Sequence, residues 1–135
     1  DSDIILCDRG IIDTFIWYDM YYQMQMMNEK RYNSFLEKMN KKVSYTNKFY
    51  ALYSTTFEAM KRDYLCSLSL EPRTTLSEEN IERYISSLLR IYPLVKEKIH
   101  SSHLIDTTKI SIMDTSIIIA NDILEEVKTK YLRRD

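Results

Sequence analysis

The residues best equipped for chemistry stand at Asp8 and Arg9, directly after the apolar run Ile4-Ile5-Leu6-Cys7. A carboxylate in such a place can hold Mg²⁺, directly or through water, because Mg²⁺ keeps several waters and takes few protein carboxylates. A guanidinium beside it is planar, always charged and suited to phosphate. Further along, Lys61-Arg62 and Arg73 add cations, and Asp106-Thr107-Thr108 group a carboxylate with two hydroxyls. Each feature also has a plain reading. Asp8-Arg9 can be a surface ion pair at a turn, Lys61 and Arg62 a solvated helix face, Arg73 a solubilising loop residue, and Asp106 an ordinary strand-end turn. His100 and His103 lie three apart, but no cysteine or third histidine joins them, and metal ligation is not expected there.

These residues need elements to hold them. Ile4–Cys7 is short, continuous and apolar, which reads as a strand buried on both faces, the kind found inside parallel sheets. From Ile11 to about Met27 the chain is aromatic and Met-rich without Gly or Pro, too long for one strand, and reads as a largely buried helix. Asn28 to Asn33 is polar and reads as a break, with helix resuming from Ser34 to about Lys41. Phe49–Tyr53 is a second strand, rich in strand-forming residues. It runs into Thr55-Thr56-Phe57-Glu58, a capping-box pattern at the head of a short helix, Thr56 to about Leu65.

Cys66 to Leu76 reads as a Ser/Thr loop carrying Pro72 and Arg73. Ser77 can cap the next helix, in which Ile81, Tyr84, Ile85, Leu88 and Tyr92 share a face and Pro93 is expected to kink or interrupt the element. His103–Ile105 is a third strand. Ser111 then caps a last helix with apolar residues at Met113, Ile117, Ala120, Leu124, Val127 and Tyr131, and the basic tail Lys128, Lys130, Arg133 and Arg134 suits its C-terminus. Strands alternating with helices predict a single α/β domain over residues 1–135, built as a parallel sheet with flanking helices. Three strands leave at least one sheet edge uncovered. That shortage, and the lack of an initiator methionine, lead to the expectation that something precedes Asp1.

Composition narrows the function classes. The 135 residues are 44% hydrophobic and 29% charged, as in ordinary globular chains, with a net charge of −1. A nucleic-acid binder working by bulk electrostatics would be basic, so no nucleic-acid partner is expected. No run approaches a membrane span, and no export signal is read at Asp1-Ser2-Asp3. Cys7 and Cys66 form no metal or redox spacing and read as reduced thiols of a cytoplasmic protein. Gly10 is the single glycine, where average usage would give roughly nine. A G-x-x-x-x-G-K-[ST] phosphate cradle needs at least two glycines, and so does a dinucleotide fingerprint. Neither exists in this chain.

The stretch Asp3-Ile4-Ile5-Leu6-Cys7-Asp8-Arg9-Gly10-Ile11-Ile12-Asp13 resembles the Asp-Arg strand end of P-loop nucleoside and nucleotide kinases, the thymidylate-kinase-like and deoxynucleoside-kinase-like proteins. Tyr53-Ser54-Thr55-Thr56-Phe57-Glu58-Ala59-Met60-Lys61-Arg62 is similar to the strand and helix leading into their basic lid. His103-Leu104-Ile105-Asp106-Thr107-Thr108 is similar to their last strand and adenine-side loop. These landmarks fall in the matching order and cover nearly the whole chain. Gly10 departs from the pattern, since thymidylate kinases follow Asp-Arg with an aromatic residue and deoxynucleoside kinases with serine.

The resemblance implies the C-terminal portion of an incomplete P-loop kinase-like domain. In the full form Asp8 would organise Mg²⁺, and Arg9 would bind phosphate, these two being the catalytic pair. Lys61, Arg62 and Arg73 would close as a lid over the triphosphate of ATP, and Thr107 and Thr108 would lie by its adenine. The acceptor would be a nucleoside or nucleotide, with homodimerisation left open. Without the phosphate loop the chain is expected to be inactive alone. The alternative is a non-catalytic helical interaction domain that keeps a kinase-like core.

Overall fold

The computed structural model describes residues 5–7, 9–66 and 77–132. In chain order it contains α1 (Ile11–Gln23), α2 (Glu29–Val43), β1 (Lys48–Tyr53), α3 (Thr56–Cys66), α4 (Glu78–Lys96), β2 (Ser101–Asp106) and α5 (Ile112–Leu132). The α/β expectation holds at that level. The two strands pair in parallel, with Lys48 beside Ser101 and Tyr53 beside Asp106. A parallel pair needs a crossover, which α3 and α4 supply.

Helix α1 buries Ile12, Phe15, Ile16, Asp19 and Met20, steps of three and one that keep one side of the helix inward. Its end is a Schellman turn. Met26 N–H donates to the Tyr21 carbonyl and Gln25 N–H to the Tyr22 carbonyl, each at 3.0 Å. Gln25 closes that turn at φ 58°, a left-handed position where glycine is the usual residue. Asn28 is the cap of α2, its side chain accepting from Arg31 N–H at 2.9 Å. The expected break over Asn28 to Asn33 is therefore corrected: the helix starts at Glu29. Its polar face hides a helix that buries only Met39 and Val43 completely.

Expected strand Ile4–Cys7 is corrected for the residues described. Ile4 lies outside them, and residues 5–7 form no strand, with Ile5 and Leu6 about four-fifths exposed at 80% and 78%. A fully apolar strand needs neighbours on both edges, and the ladder of the only described sheet joins β1 to β2 alone. Pro93 does not interrupt α4, which runs unbroken from Glu78 to Lys96 after its Ser77 cap. Pro93 and Leu89 both lie on the exposed side, where water can serve the carbonyl left without its N–H partner.

The core forms between α1, α2, α4 and one face of the sheet: Phe15, Ile16, Val43, Ala51, Leu88, Ile91 and Val95 are buried together, with Phe49, Tyr53 and Leu104 packed against them. Tyr18 stacks on Phe35 at 3.7 Å between ring centroids and Tyr22 on Tyr32 at 4.3 Å, fastening α1 to α2. The first part of the aromatic and Met run, Phe15 to Met20, thus serves the core, while Tyr21 and Met26 are exposed and the helix ends at Gln23.

One buried charge sits in this layer. Asp19, 3% exposed, accepts from Arg90 Nε and Nη2 at 3.1 and 2.7 Å and from the Tyr32 hydroxyl at 2.7 Å. Arg90 also reaches Ser87 Oγ at 3.0 Å. Burial first, and the Asp19 carboxylate second, hold the Tyr32 phenol protonated well above the ordinary tyrosine range. A similar bond ties Tyr84 to Asp13 at 2.7 Å, across α4 and α1.

Two consequences can be measured in denaturant melts. Arg90→Ala strands a buried carboxylate and should lower stability by about 3 kcal/mol. Asp19→Asn keeps the shape and leaves Arg90, whose side chain is nearly half exposed, free to turn to water, so its loss should be smaller, about 1–2 kcal/mol. Gln25→Gly removes the left-handed strain at the end of α1 and should raise stability by about 0.5–1 kcal/mol. A neutral or destabilising result would show that Gln25 holds its turn without strain.

Candidate functional site at the carboxyl end of the strands

In open α/β sheets, ligands bind beyond the carboxyl ends of the strands. Here those ends are Tyr53-Ser54-Thr55 and Asp106-Thr107-Thr108, brought side by side by the parallel register. Thr107 N–H and Oγ1 both donate to the Tyr53 carbonyl, at 2.7 and 2.9 Å, which carries the pairing one step past the strands. Thr108 Oγ1 accepts from Thr55 N–H at 3.0 Å, and Thr108 N–H donates to Asp106 Oδ1 at 2.9 Å. Bonds from the Thr108 side chain and backbone hold the Asp106 carboxyl below its ordinary pKa.

The expected capping box is half formed. Glu58 N–H donates to Thr55 Oγ1 at 3.4 Å, while Thr55 N–H goes to Thr108 in place of Glu58. Glu58 turns instead along α3 to Arg62 Nε at 3.4 Å and Lys61 Nζ at 3.5 Å.

The site residues read from sequence separate into three groups. Arg62, Thr107 and Thr108 come together. Arg62 Nη1 donates to Thr107 Oγ1 at 3.1 Å, and Nη2 to the Thr107 and Ile110 carbonyls at 2.5 and 3.1 Å. The guanidinium thereby braces α3 against the loop leaving β2. Lys61 is the more exposed cation beside it. Arg9 stands apart from this group, exposed at the turn before α1 in a left-handed conformation, φ 51°, near Tyr84, whose raised phenol pKa its charge partly offsets. Asp8 and Arg73 lie outside the described residues. Gly10 is extended at φ −70°, ψ −162°, a backbone open to any residue, and forms no part of a phosphate cradle. Among the described residues no group of three or more His, Cys, Asp or Glu side chains is arranged to hold a metal ion.

A second polar cluster, not foreseen from sequence, covers the other face of the sheet. Lys48 Nζ lies 2.6 Å from Asp122 Oδ2 and 3.0 Å from Glu126 Oε2. Tyr50 OH donates to the same Asp122 oxygen. His103, the register partner of Tyr50, stacks on its ring at 5.2 Å. Its Nε2 is 3.6 Å from Asp122 Oδ2 and 3.0 Å from Ser101 Oγ. Ser, His and Asp are thus neighbours, but both contacts use one ring nitrogen. A nucleophilic relay needs a different nitrogen for each partner. The cluster is an anchor for α5. The alternation Lys48, Tyr50 and Ser101, His103 was its signal in the sequence, obscured because the partners Asp122 and Glu126 lie far along the chain.

Hydrogen bonds from Lys48 and Tyr50 hold the Asp122 carboxyl below its ordinary pKa. Burial works against the Lys48 charge, yet its bonds to Asp122 and Glu126 hold the ammonium above the ordinary lysine range. Asp122 therefore stabilises the fold fully above its unfolded pKa, about 4, and loses that contribution as pH falls through its lower folded value. Lys48 contributes fully below its unfolded pKa, about 10, and loses that contribution as pH rises through its higher folded value. Stability measured by urea melts should be flat between about pH 5 and pH 9 as far as this pair is concerned, and fall on both sides. Asp122→Asn should shrink the acid limb; an unchanged acid limb would remove Asp122 from the account.

No known protein family, curated protein or solved structure matches this chain.

Proposed function

We propose that the chain is the C-terminal portion of an ATP-dependent nucleoside or nucleoside-monophosphate kinase, a cytoplasmic phosphotransferase built on an incomplete P-loop kinase-like domain and inactive alone. The observation that carries this reading is the joined strand end: parallel β1 and β2 deliver Thr55, Asp106, Thr107 and Thr108 to one place, with Arg62 and Lys61 beside them. Two of the three landmarks named by the resemblance, Tyr53–Arg62 and His103–Thr108, thus lie side by side, the relation that ligand binding at a sheet end requires. Exposed Ile5 and Leu6 support it too, since an apolar segment leading into Asp8-Arg9 suits burial in a larger sheet.

In this reading Lys61 faces the triphosphate while Arg62 positions the Thr107–Thr108 loop. Arg9 meets phosphate from its strained turn, and strain of that kind is characteristic of functional sites. Asp8 would hold Mg²⁺ and Arg73 would complete the lid. Among the described residues no helix is long and apolar enough to cross a membrane. The second reading, a non-catalytic interaction domain, draws on Arg62, whose donors are engaged by the protein's own carbonyls.

A coupled assay with ATP and a panel of nucleosides and nucleoside monophosphates separates the two. The isolated chain should give no turnover, because no glycine loop positions the phosphates. If the coding sequence upstream of Asp1 specifies an apolar strand and G-x-x-x-x-G-K-[ST], the longer protein should turn over, and Arg9→Ala should slow it on the order of a hundredfold with little change in its melt. Upstream codons without that motif would end the kinase reading and leave the interaction domain.

A further inference from the structure

Helix α5 sits on the sheet with one apolar stripe outward. Thr115 is buried, Ile119, Asp122, Ile123 and Glu126 are half-buried, and the Lys48–Tyr50–His103 cluster grips Asp122 and Glu126. Met113, Ile117 and Leu124 are 69%, 49% and 53% exposed, and Ala120 between them is exposed as well. With half-buried Val127 these residues step by four, three, four and three, the a/d spacing of a coiled-coil seam. Such a stripe on a helix fastened by ion pairs through its opposite side is built to meet another helix.

What meets it is constrained by the charges beside the seam. In a pairing of two copies that run antiparallel about a midpoint near residue 122, Ile117 falls opposite Val127 of the second copy and Ala120 opposite Leu124. On the flank, Asp114 falls opposite Lys128, and symmetry supplies that pair twice. In a parallel in-register pairing these two flank positions would face residues five earlier, Lys109 and Ile123, so the Asp114–Lys128 pair forms only in the antiparallel arrangement. Lys128 bonds to Glu125 at 2.8 Å within its own helix, but both side chains are well exposed, so the lysine is readily shared. The small Ala120 facing Leu124 lets the helices approach at the centre.

We propose that α5 pairs antiparallel with the α5 of a second copy of this chain, along Met113, Ile117, Ala120 and Leu124, with Asp114 facing Lys128 across the two-fold. The seam is short, well under a standard interface, so the dimer is weak and concentration-dependent. Sedimentation velocity on the 135-residue chain, from about 1 to 200 µM, should show a monomer–dimer equilibrium centred on the order of tens of micromolar.

Ile117→Asp should raise the dimer Kd about tenfold or more. Asp114→Lys and Lys128→Asp should each raise it several-fold, and the two together should restore it to within about twofold. Ile117 and Lys128 are exposed, so circular dichroism melts of dilute Ile117→Asp and Lys128→Asp should match the parent, whereas Asp114→Lys also loses the bond from Ser111 Oγ at the start of α5 and should melt slightly lower. A chain that stays monomeric over the whole range overturns the proposal. So does a dimer indifferent to Ile117→Asp, which would lie on another surface. A dimer lost with Ile117→Asp but insensitive to the charge exchange overturns the antiparallel register.

Discussion

A carboxylate in an apolar layer must be met by donors or it drives the layer apart, and Asp19 is that carboxylate. It projects from α1 among residues that are otherwise aromatic and aliphatic. Arg90 from α4 and Tyr32 from α2 converge on it, so three helices share one point of fixed geometry. Hydrophobic packing alone tolerates sliding of one helix along another; a carboxylate with Oδ2 held by two Arg90 nitrogens and Oδ1 by the Tyr32 hydroxyl does not. Once α4 is fixed, so is the apolar face of the sheet. Ala51, Phe49 and Leu104 pack in the same core, and Tyr92 of α4 reaches the Ser102 carbonyl of β2 at 3.1 Å. The strand ends that make up the candidate site are therefore positioned from below by a charge that takes no part in it.

The two faces of this small sheet then demand different covers. Parallel strands are usually buried on both sides by apolar residues. Here one face is apolar and meets α1, α2 and α4, while the other carries Lys48, Tyr50 and His103. Asp122 and Glu126, one turn apart on α5, meet Lys48 there. Thr115, Asp122 and Glu126 turn inward together with Ile119 and Ile123, and a separate apolar stripe, Met113, Ile117, Ala120 and Leu124, is left toward solvent.

The orientation of α5 marks the limit of what the sequence could disclose. The four-three spacing of Met113, Ile117, Ala120 and Leu124 identified the helix and its period correctly, but period fixes which residues share a face, not which way the face points. The direction was set by long-range ion pairs to β1. Likewise the caps at Ser77, Thr55 and Ser111 were legible because capping is local: Asn80 N–H finds Ser77 Oγ at 3.3 Å, and Asp114 N–H finds Ser111 Oγ at 3.0 Å. The start of α2 was missed for the converse reason. Its first turns are charged and exposed, and only Asn28, a capping residue as readily as a loop residue, signalled the boundary. The continuous apolar run Ile4–Cys7 reads as a strand, yet a strand is a property of its neighbours as well as of its own residues, and the described residues 5–7 form none.

The same distinction governs the site. Arg62, expected as a lid cation, and Thr107 and Thr108, expected beside an adenine, lie within a few ångströms of one another at the sheet end. What type and order could not convey is the direction of a side chain's donors. Arg62 carries its donors to the carbonyls of Thr107 and Ile110, groups that terminate a strand and would otherwise need water. An arginine so engaged stiffens the loop on which Thr108 and Asp106 sit, and a stiff loop at a sheet end is the precondition for precise binding. The brace fixes the loop, and Lys61, one residue earlier on α3 and 3.5 Å from Glu58, is the more exposed of the two cations.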